Sequence, residues 1–338
     1  ASDYLYGFVN KVARAVGREH PGKYVTTLAY HQTYYPPTRE ALEPNVAITL
    51  CQYALFRAVP AMDRAALELM DRWDAESRDR RKSLWLWFCY PNRVDAKTFP
   101  PFMAHKLVRD MADYHRRGIR GLFAEPASLP PVLDEAGRRV RETATRAPNV
   151  NLLELYVTYK LAYDAALDGD ALIDEFFRLY YGAAGPAMQA LYEAIEAVYT
   201  DPANYAFNPT GYFGFQTPEI AWGRLGTAER IAEFGGRMAA ARAAAQTDLE
   251  RRRVALFEQN IWERMVAGRQ AYEEQEARRV PVALTGLSPA DCMKPVEPGS
   301  EGRPEVPTPL KSAVAARIKG DSPGGDPGRV DWTQAPPG

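Results

Sequence analysis

A carboxylate placed directly after an apolar β-run is costly to leave without a partner. Glu125 is such a residue, ending the run Gly121-Leu122-Phe123-Ala124-Glu125 with no Lys or Arg beside it in sequence. Three other apolar runs also finish in polar or aromatic residues. They are Tyr30-His31-Gln32-Thr33-Tyr34-Tyr35 before Pro36-Pro37, Cys51-Gln52-Tyr53, and Trp85-Leu86-Trp87-Phe88-Cys89-Tyr90 before Pro91. Together they offer a carboxylate (Glu125), an amide (Gln52), an imidazole (His31) and aromatic faces (Tyr34, Trp87, Tyr90). That mixture suits a sugar, whose C–H patches pack on aromatic rings while its hydroxyls need directed partners. Plainer roles exist for the same residues. Trp85 is read as core and Trp87 as facing inward with Cys89. His31 can equally be a packed histidine, Tyr34 and Tyr35 can clamp the Pro36-Pro37 turn, and Cys51 and Cys89 are small apolar fillers.

The elements that would position these residues follow from apolar spacing. Leu5, Phe8, Val9, Val12, Ala13 and Val16 recur at helical intervals, predicting a helix from Ser2 to near Gly17. Strands are expected over Tyr24 to Tyr30, Val46 to Tyr53, Ser83 to Tyr90 and Ile119 to Phe123, with a helix from Pro101 to Arg117 between the last two. Near-continuous apolar strands separated by helices imply a parallel sheet covered on both faces. Half of an eight-stranded barrel and a doubly wound sheet both fit. In a barrel, the loops after the strands gather on one face and build the site.

Beyond Asn151 the pattern becomes helical: Asn151 to Ala166, Asp170 to Tyr181, Gly185 to Tyr199, and one or two long helices from Thr227 to about Arg279, with a break near Gly235-Gly236. An aromatic loop from Asp201 to Gly226 lies between them and can cover the site or pack between helices. The resulting division is 1–150 for the sheet and its helices, 151–280 for a helical region, and 281–338 for a mostly extended Pro/Gly-rich tail.

Composition narrows the partners. Of 338 residues, 42 are basic and 43 acidic, for a net charge of −1, which leaves no basic stripe for nucleic acid. No apolar run reaches membrane-spanning length, so no membrane insertion is expected. The three cysteines are scattered and form no CxxC pair, so neither a metal nor a disulfide framework is expected. No dinucleotide, P-loop, zincin or nucleophile-elbow motif is found, and no cofactor is expected.

Several segments carry a resemblance. They are Asp3-Tyr4 through Phe8-Val9-Asn10-Lys11-Val12-Ala13, Thr27-Leu28-Ala29-Tyr30, Pro36-Pro37, Asn45-Val46, the Trp87 and Tyr90 segment, and Gly118 through Glu125. Leu155-Tyr156, Lys160-Leu161, and Phe176-Phe177 through Tyr180-Tyr181-Gly182 extend it. Over about residues 3 to 200 the chain resembles a bacterial family first described as a domain of unknown function. That family was then placed among the glycoside hydrolases as endo-beta-N-acetylglucosaminidases acting on N-glycans.

The resemblance implies an α/β fold, the second half of a (β/α)8 TIM-type barrel (parallel strands five to eight) followed by helices. It also implies an exported protein and retaining hydrolysis, in which the substrate's 2-acetamido oxygen attacks the anomeric carbon. The catalytic acidic pair would follow the barrel's fourth strand, upstream of Ala1. Glu125 would then hydrogen-bond hydroxyls of the sugar, with Tyr34, Gln52, Trp87 and Tyr90 lining the same subsite. The family's pattern on the third of these strands has a Trp, an acidic residue and an aromatic. Here Leu86 or Phe88 stands where the carboxylate is expected. A non-catalytic carbohydrate-binding or scaffold protein built on the same barrel is the alternative.

Overall fold

The computed structural model describes residues 1–76, 82–88, 98–125, 151–205 and 216–278, and the backbone of 132–133 and 139–141. The side chains of residues 55, 56, 85 and 87 and all remaining residues, including the expected tail over 281–338, lie outside that description. Helix α1 (Ser2–Glu19) leads into β1 (Val25–Ala29) and β2 (Val46–Gln52). Then α2 (Pro60–Glu76), β3 (Lys82–Trp87), α3 (Ala104–Arg116) and β4 (Ile119–Glu125) alternate. The four strands are parallel and lie in the order β1-β2-β3-β4. Their order contains no reversal, so they do not form the crevice that a doubly wound sheet uses for ligands.

The two faces of this sheet differ. Ile48 and Leu50 of β2 and Leu84 of β3 close with Met70 and Trp73 of α2 around a void of about 20 Å³. Met111 and Tyr114 of α3 lie against Leu84 and Leu122 of the same face. Helix α1 joins this layer through Tyr6, whose ring meets Trp73 edge-on at 5.7 Å, and through Ala13, whose carbonyl accepts from Asn45 Nδ2 at 2.8 Å. The pleat sends the alternate residues to the other side. There Leu28, Thr49, Ser83 and Gly121 stand in one register row. Leu28 is 50% exposed and Phe123 55% exposed. A parallel sheet is ordinarily covered on both faces. Here the described helices cover one.

Charge pairs tie the helical layer together. Arg57, buried in the turn before α2, donates to Asp63 Oδ1 at 2.8 Å and to the Tyr114 hydroxyl at 2.7 Å, and lies 3.4 Å from Asp110. Lys106 reaches Asp110 at 2.9 Å and Asp63 at 3.2 Å. Because these charges are mutually paired and hydrogen-bonded, their burial is compensated; removing one partner would strand the others.

A short antiparallel ladder of β5 (Val132–Leu133) and β6 (Arg139–Arg141) follows β4. The described residues that follow are mainly helical: α4 (Leu152–Tyr163), α5 (Gly169–Tyr181), α6 (Gly185–Thr200), α7 (Pro218–Ile220) continuing as a π turn over Ala221–Leu225, α8 (Ala228–Ala244), α9 (Asp248–Phe257), and α10 (Glu263–Ala277) after a π turn over Glu258–Trp262. Sheet and helices belong to one compact unit, Ala1–Arg279. No described helix is long and apolar enough to cross a membrane.

The break expected at Gly235-Gly236 is not there. Both glycines lie inside α8, and the chain turns instead at Ala245 to Thr247. The reason is local. Thr247 and Glu250 form a capping box that starts α9, while a Cβ at Gly235 would sit 3.3 Å from the Trp262 ring. Gly235 is thus a place where an aromatic ring approaches the backbone.

Gly121 has a similar role in the sheet, because an added Cβ would lie 2.8 Å from the Ser83 Cβ. Gly121→Ala should therefore cost about 1–3 kcal/mol of stability in urea unfolding. Adding Ser83→Gly to it should restore part of that loss, as a double-mutant cycle can measure.

Candidate functional site

The tips of β1 and β2 are joined by aromatic contacts. After Ala29 the chain enters a 3-10 turn (His31–Thr33), held by Thr33 N–H and Oγ1 donating to the Tyr30 carbonyl at 3.1 and 2.9 Å. His31 adopts φ 48°, a left-handed conformation uncommon for a non-glycine residue. Its exposed ring meets Tyr30 edge-on at 4.0 Å. The turn is anchored from below: Tyr6 donates its hydroxyl to the Thr33 carbonyl at 2.7 Å, and Trp73 Nε1 donates to the Tyr34 carbonyl at 2.9 Å. Burial pushes the Tyr6 phenol up to about 12, so it remains a donor. With its backbone fixed this way, half-buried Tyr34 sets its ring 6.3 Å from Tyr53, the residue after Gln52.

At the other side of the sheet, Glu125 ends β4 half-buried. Its carbonyl accepts from Phe88 N–H at 2.8 Å, and its register partner is Trp87. The Glu125 carboxylate acts on the buried Cys51 thiol, which is pushed up to about 12 by burial first and by that negative charge second. A thiol held protonated is a poor nucleophile, in keeping with the reading of Cys51 as a filler.

Cys51 and Glu125 thus share the face that the described helices leave open. Gln52 does not. It stands in the register row with Leu86 and Ala124, so its side chain enters the helix-covered face. It is fully buried, and neither amide atom has a hydrogen-bond partner. The structure therefore brings Tyr34 to Tyr53 and Glu125 to Cys51, leaves His31 outward, and separates Gln52 from Glu125 by the thickness of the sheet. Trp87 is placed by its backbone alone, and Tyr90 lies outside the described residues.

The aromatic loop is described at its ends, and these pack inward. Tyr205 and Trp222 are buried, and Trp222 meets Phe99 at 6.2 Å. The Gln216 amide accepts from Phe99 N–H at 2.6 Å and donates to its carbonyl at 2.9 Å. The residues between Tyr205 and Gln216 lie outside the described set.

Sequence reasoning passed over a buried polar group at the start of α3. Glu154 and Glu196, from α4 and α6, accept hydrogen bonds from Met103 N–H at 3.1 Å and His105 N–H at 2.9 Å. Asn151 and Thr158 are buried on the same side of α4. Its signal was present: Asn151, Glu154 and Thr158 fall at positions i, i+3 and i+7 along the start of a largely apolar helix. Among the described residues no group of three or more His, Cys, Asp or Glu is placed to hold a metal ion.

The fold and the strand tips define an α/β protein with a singly wound parallel sheet that meets a helical array at α3. The chain belongs to the family described as domain of unknown function DUF4838, whose model matches residues 1–193. No curated protein and no solved structure matches it.

The orphaned amide of Gln52 gives a test. An unsatisfied buried polar group costs about 1–3 kcal/mol, so Gln52→Met should leave stability unchanged or raise it by about 1–2 kcal/mol in urea unfolding. A marked loss of stability would show that the amide holds an internal water or another partner.

Proposed function

We propose that the four strands are strands five to eight of a (β/α)8 barrel, and that the protein is a glycoside hydrolase acting on N-acetylglucosamine-containing glycans. The observation that carries this reading is the sheet face that the described helices leave uncovered. A parallel sheet wound in one direction, with described helices on one side and Leu28 and Phe123 exposed on the other, has the geometry of a barrel wall whose inner surface faces further strands. Glu125 then stands at the carboxyl end of that wall, where barrel enzymes place their sites. Four strands make half of such a barrel, so this reading assigns the acidic pair to strands outside this sequence.

The chemistry of this reading is the one that the resemblance implies. The acetamido oxygen of the substrate attacks its own anomeric carbon, one carboxylate of the pair orients the acetamide, and the other protonates the leaving oxygen. Glu125 accepts hydrogen bonds from sugar hydroxyls, and Trp87, Tyr34 and Tyr90 contribute aromatic faces. A glycan is the partner, with no role for nucleic acid. One observation favours a second reading, a non-catalytic carbohydrate-binding protein. In the sequence, Glu125 is the one carboxylate that closes any of the four strands, and Leu86 or Phe88 replaces the acidic residue expected on β3.

Titration of the chain with a chitobiose-core oligosaccharide, followed calorimetrically, separates these. The 338-residue chain should bind it without cleaving it, and Glu125→Gln should weaken binding about tenfold or more with an unchanged melting temperature. Hydrolysis is expected from a protein that also carries the acidic pair, with Glu125→Gln slowing it. Binding without hydrolysis by that complete protein would establish the second reading. Absence of binding by either would overturn both.

A further inference from the structure

The strongest unassigned chemistry lies where α3 begins. Glu154 is fully buried; one carboxyl oxygen accepts from Met103 N–H, and the other, Oε2, has no hydrogen-bond partner. The Asn151 amide and the Thr158 hydroxyl, on the same face of α4, are buried without partners too. From α6, Glu196 accepts from both the backbone N–H and the ring Nδ1 of His105, each at 2.9 Å. The charge of Glu154 acts on the Tyr192 phenol, also on α6, while Asp170 of α5 and Glu193 of α6 act on His105. No lysine or arginine among the described residues acts on Glu154.

We propose that this junction is a proton-operated latch. A proton on Glu154, with one on His105, keeps the group formed by buried Glu154 and Glu196 and half-buried His105 neutral in sum, and loss of both protons releases the first turn of α3 from α4 and α6. With both protons in place the charges are zero, −1 and +1. With both gone they are −1, −1 and zero, and two like charges share the N-terminal N–H groups of one helix.

The titration directions agree with this geometry. Burial, with the Glu196 charge adding to it, pushes the Glu154 carboxyl up to about 8 from its ordinary 4.5. The hydrogen bond to Glu196 raises His105 above its ordinary 6.5. For Glu154 the folded chain holds its proton more tightly than the unfolded chain, so the cost to folding begins above about 4.5 and is complete above about 8. His105 adds stability that is fully present below 6.5 and is lost as pH rises through its raised folded value. Both groups loosen the latch as pH increases. The Gln216 clamp on Phe99 contains no titrating group, so the segment leading into α3 stays attached while the helix start lets go.

Hydrogen exchange of the full chain tests this. Protection of the amides of His105 to Leu107, corrected for the intrinsic rate, should fall about tenfold or more from pH 6 to pH 9. The amides of α2 should hold theirs. In Glu154→Gln, which keeps the acceptor and cannot ionise, the fall should be less than about threefold. Constant protection in the unaltered chain, or an equal fall in the variant, would overturn the latch. Should the variant fail to fold, carbon NMR titration of the Glu154 carboxyl in the unaltered chain decides. A midpoint above pH 7 supports the proposal, and a midpoint in the ordinary carboxylate range ends it.

Discussion

The N-terminus of α3 must satisfy backbone N–H groups that its own helix cannot, and much of the architecture is arranged around that requirement. Met103 and Ala104 at its start are fully enclosed, while His105 and Lys106 of the first turn are half-buried. Its N-cap residue, Met103, makes no side-chain capping hydrogen bond. The acceptors come from far along the chain instead, as Glu154 of α4 and Glu196 of α6. Both carboxylates therefore bridge two layers: α3 packs on the sheet through Met111 and Tyr114 while its end is held by the helical array. Phe102, stacked on Tyr192 at 4.4 Å, adds apolar contact at the same point. A buried carboxylate is tolerable where it meets helix N–H groups or carries a proton, and this junction uses both means.

The sheet imposes the second constraint. Helices α1, α2 and α3 take up one face, and the charge network of Arg57, Asp63, Lys106 and Asp110 locks the layer they form. The opposite face carries small and hydroxylated residues low on the strands, where Thr49 and Ser83 hydroxyls meet at 2.7 Å and Gly121 leaves room beside them. Toward the strand tips it carries Cys51, Phe123 and Glu125. This gradient, compact at one end and aromatic and acidic at the other, is the arrangement on which the proposed sugar site rests. Among the four strands Glu125 is the one carboxylate at a carboxyl end.

Much of this was legible in advance because it depends on local periodicity. The four strands and helices α1, α3, α4, α5 and α6 were read within a few residues of where they lie, since apolar runs and 3.6-residue spacing are properties of neighbouring residues. Glu125 was legible as a strand-end carboxylate for the same reason. Gln52 shows where such reading stops. Its position at a strand tip suggested a site residue, yet the tip says nothing about the face, and one step along a strand reverses the direction of the side chain. Gly235 shows the same limit in a helix, where composition alone could not distinguish a break from a close approach by Trp262.

The amino-acid order by itself determined the alternation of strands and helices, the parallel sheet, and the carboxylate and aromatics at its tips, because propensity and pattern act over a few residues. Tertiary structure alone decided which sheet face the described helices cover, that Gln52 and Glu125 part company across the sheet, and that Glu154 and Glu196 meet on α3. Those outcomes depend on residues some 50 to 90 positions apart being brought within hydrogen-bonding distance, and no local pattern records such an encounter.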